Sequence, residues 1–201
     1  MSRPRTGNKR ERLINAAVEL FAEKGYFYTT TAEVSAQAGV AAGTLYLYFN
    51  SKDDLLVATL EAFLDEFSLN VMPVVYSASS PAEKLRMFVR EYVAFVEDHR
   101  ALAQVFLVEL RQNNAALRNA ASRVWERYTS IVRDLLADVR RQSAVTRFDM
   151  DAAVAMVLGA LELTVVRWLL GHDVRPPRSH TAALTKVLLQ AIDVSVEVEV
   201  P

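Results

Sequence analysis

The sequence contains no cysteine in 201 residues, which excludes disulfides, thiolate catalysis and Cys-based metal sites. Histidine is nearly as scarce. His99, His172 and His180 stand in no HExxH or comparable pairing, so no metal site is expected. The six glycines form no phosphate-cradling loop. No apolar run stays free of charge for the roughly 18 residues that a membrane helix needs. The N-terminal MSRPRTGNKRER lacks the apolar stretch of a secretory signal. Internal repeats and low-complexity tracts are absent, and strand-like alternation is confined to VSVEVEV at 194–200, read as a frayed end. These absences point to an all-α, soluble, cytoplasmic chain with no membrane contact, no cofactor and no catalytic centre.

The composition that remains is 52% hydrophobic and 23% charged, enough for one sizeable core or for a small domain on a larger one. Net charge is -1, but it is unevenly spread. Residues 1–52 carry seven basic and four acidic groups, so the rest of the chain is acidic. Five of the basic groups (Arg3, Arg5, Lys9, Arg10, Arg12) fall in the first twelve residues. A basic head on an acidic body suits a protein that offers one end to nucleic acid.

Periodicity predicts about nine helices. The first covers Lys9 to Lys24, with Gly25 at its C-terminal stop. Thr30 and Glu33 have capping-box spacing and start a second helix to Ala38. Gly39 makes a turn, and a short third helix runs from Ala42 to Phe49. Ser51 and Asp54 start a fourth, through about Asn70. Pro73 and SASSP at 77–81 mark a break. Ser80-Pro81-Ala82-Glu83 opens a fifth to His99, and a sixth spans Arg100 to Gln112. A long seventh starts after Asn113 or Asn114 and reaches Arg141, and Asp149 caps an eighth to Leu170. Ser179 caps a ninth to about Val194. The expected division is a small head, 1–52, and a larger body, 53–201.

The second and third helices with their glycine turn form a helix-turn-helix, a layout that places a short helix in the DNA major groove. Leu45 and Phe49 point inward, which leaves Gly43, Thr44, Tyr46 and Tyr48 for the outer face. Hydroxyls and phenols there suit phosphates and base edges. Thr30 and Thr31 begin the second helix, where free N–H groups favour a phosphate. Lys52 begins the fourth, where a cation opposes the helix dipole and makes sense facing a phosphate.

The pattern GxxxTTxAEVSxxAGVxxGTLYxYFxSKDDLL, at residues 25–56, resembles the N-terminal domain of the TetR family of one-component transcriptional repressors. The resemblance implies a homodimer whose paired three-helix heads read a palindromic operator in double-stranded DNA. It also implies a larger C-terminal domain that holds a small-molecule effector. The family usually carries Ser or Thr, then often Lys, between AGV and GTLY. This chain has Ala41 and Ala42, so a cap worth about 0.5–2 kcal/mol and a base-reading cation are both missing. Base readout would then rest on Thr44, Tyr46 and apolar contacts, with Ala42 and Gly43 also on the DNA and Tyr48 and Lys52 on phosphates. The arm with Arg5, Lys9 and Arg10 would compensate through phosphate or minor-groove contact.

The seventh helix is apolar on two sides, as a central helix would be. Phe88, Tyr92, Phe106, Leu110, Trp125, Tyr128 and Trp168 are the expected lining of a long apolar pocket. LVELRQNNAALR, within 102–132, resembles the FadR-like branch of the TetR family, whose members repress fatty-acid degradation genes and are released by acyl-CoA. For the CoA phosphates that ligand implies, Arg111 and Arg123 are candidates, with Arg86, Arg90, Arg118 and Arg127. A regulator of efflux induced by hydrophobic or cationic drugs is the alternative. Buried acids would favour it, and Glu109 and Glu162 lie on apolar stretches. The eighth and ninth helices, through Val154, Leu158, Leu161, Val165, Trp168, Leu184 and Leu188, are the expected four-helix dimer interface. Gly159 and Ala160 would permit close approach.

Overall fold

The computed structural model describes residues 8–109, 118–142 and 148–192, with no side-chain description at 109 and 118–121. Arg5, Leu110, Arg111, the start of the seventh helix and the 194–200 tail therefore lie outside the described residues, as do the side chains of Glu109 and Arg118. Among the described residues there are nine α-helices and no strand: α1 Lys9–Lys24, α2 Thr31–Gln37, α3 Lys52–Asn70, α4 Met72–Tyr76, α5 Pro81–Asp98, α6 Arg100–Gln104, α7 Arg118–Gln142, α8 Met150–Leu169 and α9 Thr181–Ala191.

Local chemistry sets most of the starts. Asn8 accepts the Glu11 N–H at 3.0 Å, Ser51 that of Asp54 at 3.0 Å and Asp149 that of Ala152 at 2.8 Å. Thr30 and Glu33 close a complete capping box, so two of the first-turn donors of α2 are satisfied reciprocally. Gly25 (φ 83°) and Gly39 (φ 65°) take backbone conformations that a side chain disfavours. They end α1 and make the turn after α2.

Four elements depart from the sequence reading. The third helix is a 3₁₀ helix, Ala42–Leu47, started by Ala41 without a side-chain cap. The sixth is α-helical only to Gln104 and continues as a π-helix, Val105–Glu109. The short α4 has no counterpart in the sequence reading. The ninth begins after a 3₁₀ turn, Pro177–His180, and Ser179 does not cap it, because its hydroxyl donates to the Pro176 carbonyl at 2.8 Å.

The chain forms two compact units, 1–63 with 100–124, and 64–99 with 125–201. The first therefore takes up α6 and the π-helix as well as the head, because both pack on α1. Its core includes Leu13, Ala17, Phe21, Val34, Leu45, Phe49 and Leu55. Phe106 belongs here too, stacked on Phe63 with ring centroids 4.1 Å apart.

In the second unit, α5 packs against α4, α8 and α9. A half-buried ion pair of 2.6 Å, Lys84 to Asp138, ties it to α7. Phe67 meets Phe88, Tyr92 and Phe95 edge to face. α8, with Glu162 and Arg167 as its charges after the first turn, is the one long and strongly apolar helix among the described residues. Its length and composition alone would allow a membrane span. Its pattern is that of a core helix, since Val157, Leu161 and Val165 are buried by its own unit with the acidic Glu162 among them.

Candidate functional site

The head presents one polar and aromatic face. Ala41, Ala42, Gly43, Tyr46, Leu47 and Tyr48 are exposed and Thr44 is half-buried, while Leu45 and Phe49 are buried beneath them. A Cβ built on Gly43 would meet nothing within 4 Å. Tyr46 and Thr31 share a hydroxyl hydrogen bond of 3.1 Å, which ties the start of α2 to the 3₁₀ helix. Arg12 of α1 donates to the carbonyls of Ala38 and Gly39 (3.0 Å to the latter), so the turn between the two elements is clamped from below.

The structure brings Thr31, Ala42, Gly43, Thr44, Tyr46 and Tyr48 into this face. Thr30 is also exposed, but its hydroxyl serves the capping box with Glu33. The Lys24 ammonium, then the Thr30 backbone N–H, hold the Glu33 carboxyl down to about 2. Lys52 departs from expectation. Its ammonium donates to the carbonyls of Tyr26 and Thr29, both at 3.0 Å, and lies 4.2 Å from the centroid of the Tyr26 ring. Two of its three donors therefore clamp the α1–α2 loop rather than face outward. Arg10 rests over the Phe49 ring at 5.5 Å, and Lys9 is exposed. Sequence reasoning misses Leu47. It stands opposite the buried Leu45 and Phe49, and the 3₁₀ pitch aligns it with Thr44.

The second unit holds a buried aromatic cluster. Phe88, Tyr92 and Tyr128 are together as expected, with Phe67 and Phe95 added. Tyr92 and Tyr128 share a hydroxyl hydrogen bond of 3.1 Å. Burial, then the neighbouring Tyr92 and Glu162, push the Tyr128 phenol well above its ordinary range. Tyr128 also meets the buried Glu162 carboxyl through its hydroxyl. Two phenols and a carboxyl thus meet in an apolar setting, and such buried polar networks cost stability unless fully paired. Trp125 is 41% exposed and meets Tyr128 edge to face. Trp168 is half-buried. Arg123 is exposed and belongs to the first unit.

Two of the other arginines lie elsewhere on α5. Arg86 and Arg90 line a cleft of about 480 Å³ between α5 and α9 with Glu83, Thr185, Lys186 and Leu189. They sit on the side of α5 turned away from Phe88 and Tyr92. Lys186 is absent from the sequence expectations, because its helix stands out there only for apolar residues.

The expected dimer residues need correction. Val154, Leu158, Leu161, Val165 and Leu188 are buried in their own subunit, since they belong to the stripe that faces α5. The residues left open on the same helices are different ones: Leu163 (63% exposed) on α8, Leu170 at its C-terminal cap and Val187 (60% exposed) on α9. Trp168 and Leu184 are half-buried beside them, and a Cβ on Gly159 would meet open space. Among the described residues no group of acids and histidines is placed to hold a metal ion.

Comparison with known proteins agrees with both halves of this architecture. Residues 13–59 match the family described as bacterial regulatory proteins of the tetR family, and residues 59–189 match the YsiA-like C-terminal region. The fatty acid metabolism regulator protein of Bacillus subtilis (strain 168) is 29% identical over 162 residues, 80% of this chain and 84% of that protein. The structure of FadR from Bacillus subtilis in complex with stearoyl-CoA superposes with a TM-score of 0.83 at 27% identity, covering 90% of this chain and 98% of that one. The fatty acid degradation regulator FadR from Bacillus halodurans has a TM-score of 0.83 at 28% identity, covering 89% and 97%. With a matched head, a matched body and an exposed helix-turn-helix face, this chain belongs to the tetR family of bacterial regulatory proteins, with a YsiA-like C-terminal region.

Proposed function

We propose that this regulator binds a palindromic operator as a homodimer, represses fatty-acid degradation genes and is released by medium- to long-chain acyl-CoA. The observation that carries the reading is the likeness, over nine-tenths of the chain, to a regulator solved with stearoyl-CoA. The relatives are regulators rather than enzymes, in keeping with the absence of catalytic pairings in the sequence. The buried aromatic cluster around Phe67, Phe88, Tyr92 and Tyr128 supports an acyl chain as the ligand, since apolar side chains dominate such sites. The open face of Leu163, Leu170 and Val187 supports a two-fold partner, because an apolar patch of this kind on a helix pair is a docking surface.

The test is operator binding on fragments upstream of fatty-acid degradation genes, titrated with acyl-CoA esters of several lengths, free CoA and free fatty acid. Release by acyl-CoA and not by CoA is expected. Binding without release by any acyl-CoA would overturn the effector and leave the regulator, turning the search to drug-like ligands.

A further inference from the structure

The recognition segment contains none of the side chains that usually read bases. Between Gly39 and Asn50 the chain runs VAAGTLYLYF, with no Arg, Lys, Asn, Gln, Asp or Glu. Guanine is most often read by a bidentate Arg or Lys, adenine by Asn or Gln, and the cytosine amino group by Glu or Asp. None of these pairings is open to this segment. What it exposes is carbon. Leu47 is 80% exposed, and Ala41 and Ala42 are exposed with it. The 3₁₀ pitch eclipses residues three apart, so Leu47 stands in one row with Thr44 and its methyl group. Leu45 is turned into the core at 0% exposure, which fixes the rotation of the segment. Gly43 has no neighbour within 4 Å of a built Cβ, so the DNA can approach the backbone closely there.

We infer that Leu47, with Thr44 and the Ala41-Ala42 pair, reads thymine C5-methyl groups in the major groove, and that operator specificity rests on these methyls instead of on bidentate base pairing. This rests on the DNA-binding reading and narrows it to a base. Thymine is the only base whose major-groove edge offers a methyl, and an exposed leucine gains most by covering one. Tyr46 and Tyr48 flank Leu47, and their hydroxyls hold the segment on sugar and phosphate while the leucine points inward. The operator half-site therefore has a thymine opposite Leu47 on one strand or the other.

Replacing single operator thymines by deoxyuridine removes the methyl and nothing else. Burying one methyl-sized group is worth a roughly three- to fivefold change in affinity. One or two positions per half-site should show that loss with the wild-type protein, and both half-sites together should show roughly ten- to twentyfold. With Leu47→Ala, which is exposed and leaves the core intact, the wild-type operator should bind correspondingly worse and the deoxyuridine penalty should vanish at the strongest of those positions, the thymine opposite residue 47. 5-Methylcytosine placed at those positions, paired with guanine, should retain part of the leucine-dependent binding. Tight binding by the wild type with no deoxyuridine penalty at any position would overturn the inference and leave DNA binding standing. An equal penalty in wild type and Leu47→Ala would overturn the role of Leu47. No binding to any operator would instead remove the DNA-binding reading.

Discussion

Lys52 gives the sharpest single-residue prediction, because sequence and structure assign it different partners. Its ammonium donates to the Tyr26 and Thr29 carbonyls at 3.0 Å each and covers the Tyr26 ring at 4.2 Å. Lys52→Met keeps the stem and removes the charge. A hydrogen bond from a charged donor contributes about 1.5–3 kcal/mol, and the ring contact about 0.5 kcal/mol at an exposed site. Lys52 is only half-buried, so water replaces part of both, and a net loss of about 2 kcal/mol is expected. For a urea m value of about 2 kcal/mol/M, the head should unfold at a midpoint about 1 M lower. Operator affinity should fall with it, but the dependence of log K on log salt should keep its slope. A Lys that met a phosphate in each head would instead flatten that slope by about 1.8. An unchanged urea midpoint with a flattened slope would refute the clamp and restore the phosphate contact.

Leu163→Arg should break the proposed homodimer in sedimentation experiments and weaken operator binding by roughly 100-fold or more, because the second head loses its tether; a dimer that survives would place the interface elsewhere. Acid should destabilise the protein through Glu33 and Asp173. Lys24 and the Thr30 backbone lower the first to about 2, and Arg175 chiefly lowers the second to about 2. Both folded values lie below the ordinary carboxylate range, so their contribution is complete above about pH 4.5 and is lost as the pH falls toward 2. Glu33→Gln and Asp173→Asn should flatten the urea midpoint plotted against pH over that window. Tyr128→Phe should cost about 1–3 kcal/mol by leaving the buried Glu162 without its phenol donor. Adding Glu162→Met to the Tyr128→Phe variant should recover most of that loss, a coupling read by a double-mutant cycle.

Short-range chemistry is the most legible part of the sequence. Asn8, Thr30, Ser51, Ser80 and Asp149 act on backbone groups three residues away, so their side chains set helix starts whatever the rest of the chain does. The helix-turn-helix follows from Gly39 and the two buried anchors Leu45 and Phe49. What the sequence hides depends on pitch or on packing partners. The missing cap at Ala41 is visible in it, but not that the helix after it tightens to 3₁₀. Val154, Leu158 and Leu161 read as residues for a partner, because a helix with apolar residues on two faces does not say which face its own subunit takes. α5 takes that stripe and leaves Leu163 and Val187. Phe106 looks like pocket lining by its spacing, yet its ring partner is Phe63, 43 residues away in sequence. The helix dipole points Lys52 toward a phosphate, and the Tyr26 and Thr29 carbonyls outweigh that field at contact distance.

Acyl-CoA and operator, on this account, exclude one another through one protein. The most direct test is the affinity for a fluorescent long-chain acyl-CoA, measured on the free protein and on the protein saturated with operator DNA. Linkage requires that whatever factor acyl-CoA takes from operator affinity, operator takes from acyl-CoA affinity. A ligand that strips a repressor from its site should bind the operator complex roughly 10- to 100-fold more weakly than the free protein. Equal affinity in the two states would contradict the account, because a ligand that does not distinguish them cannot shift one to the other.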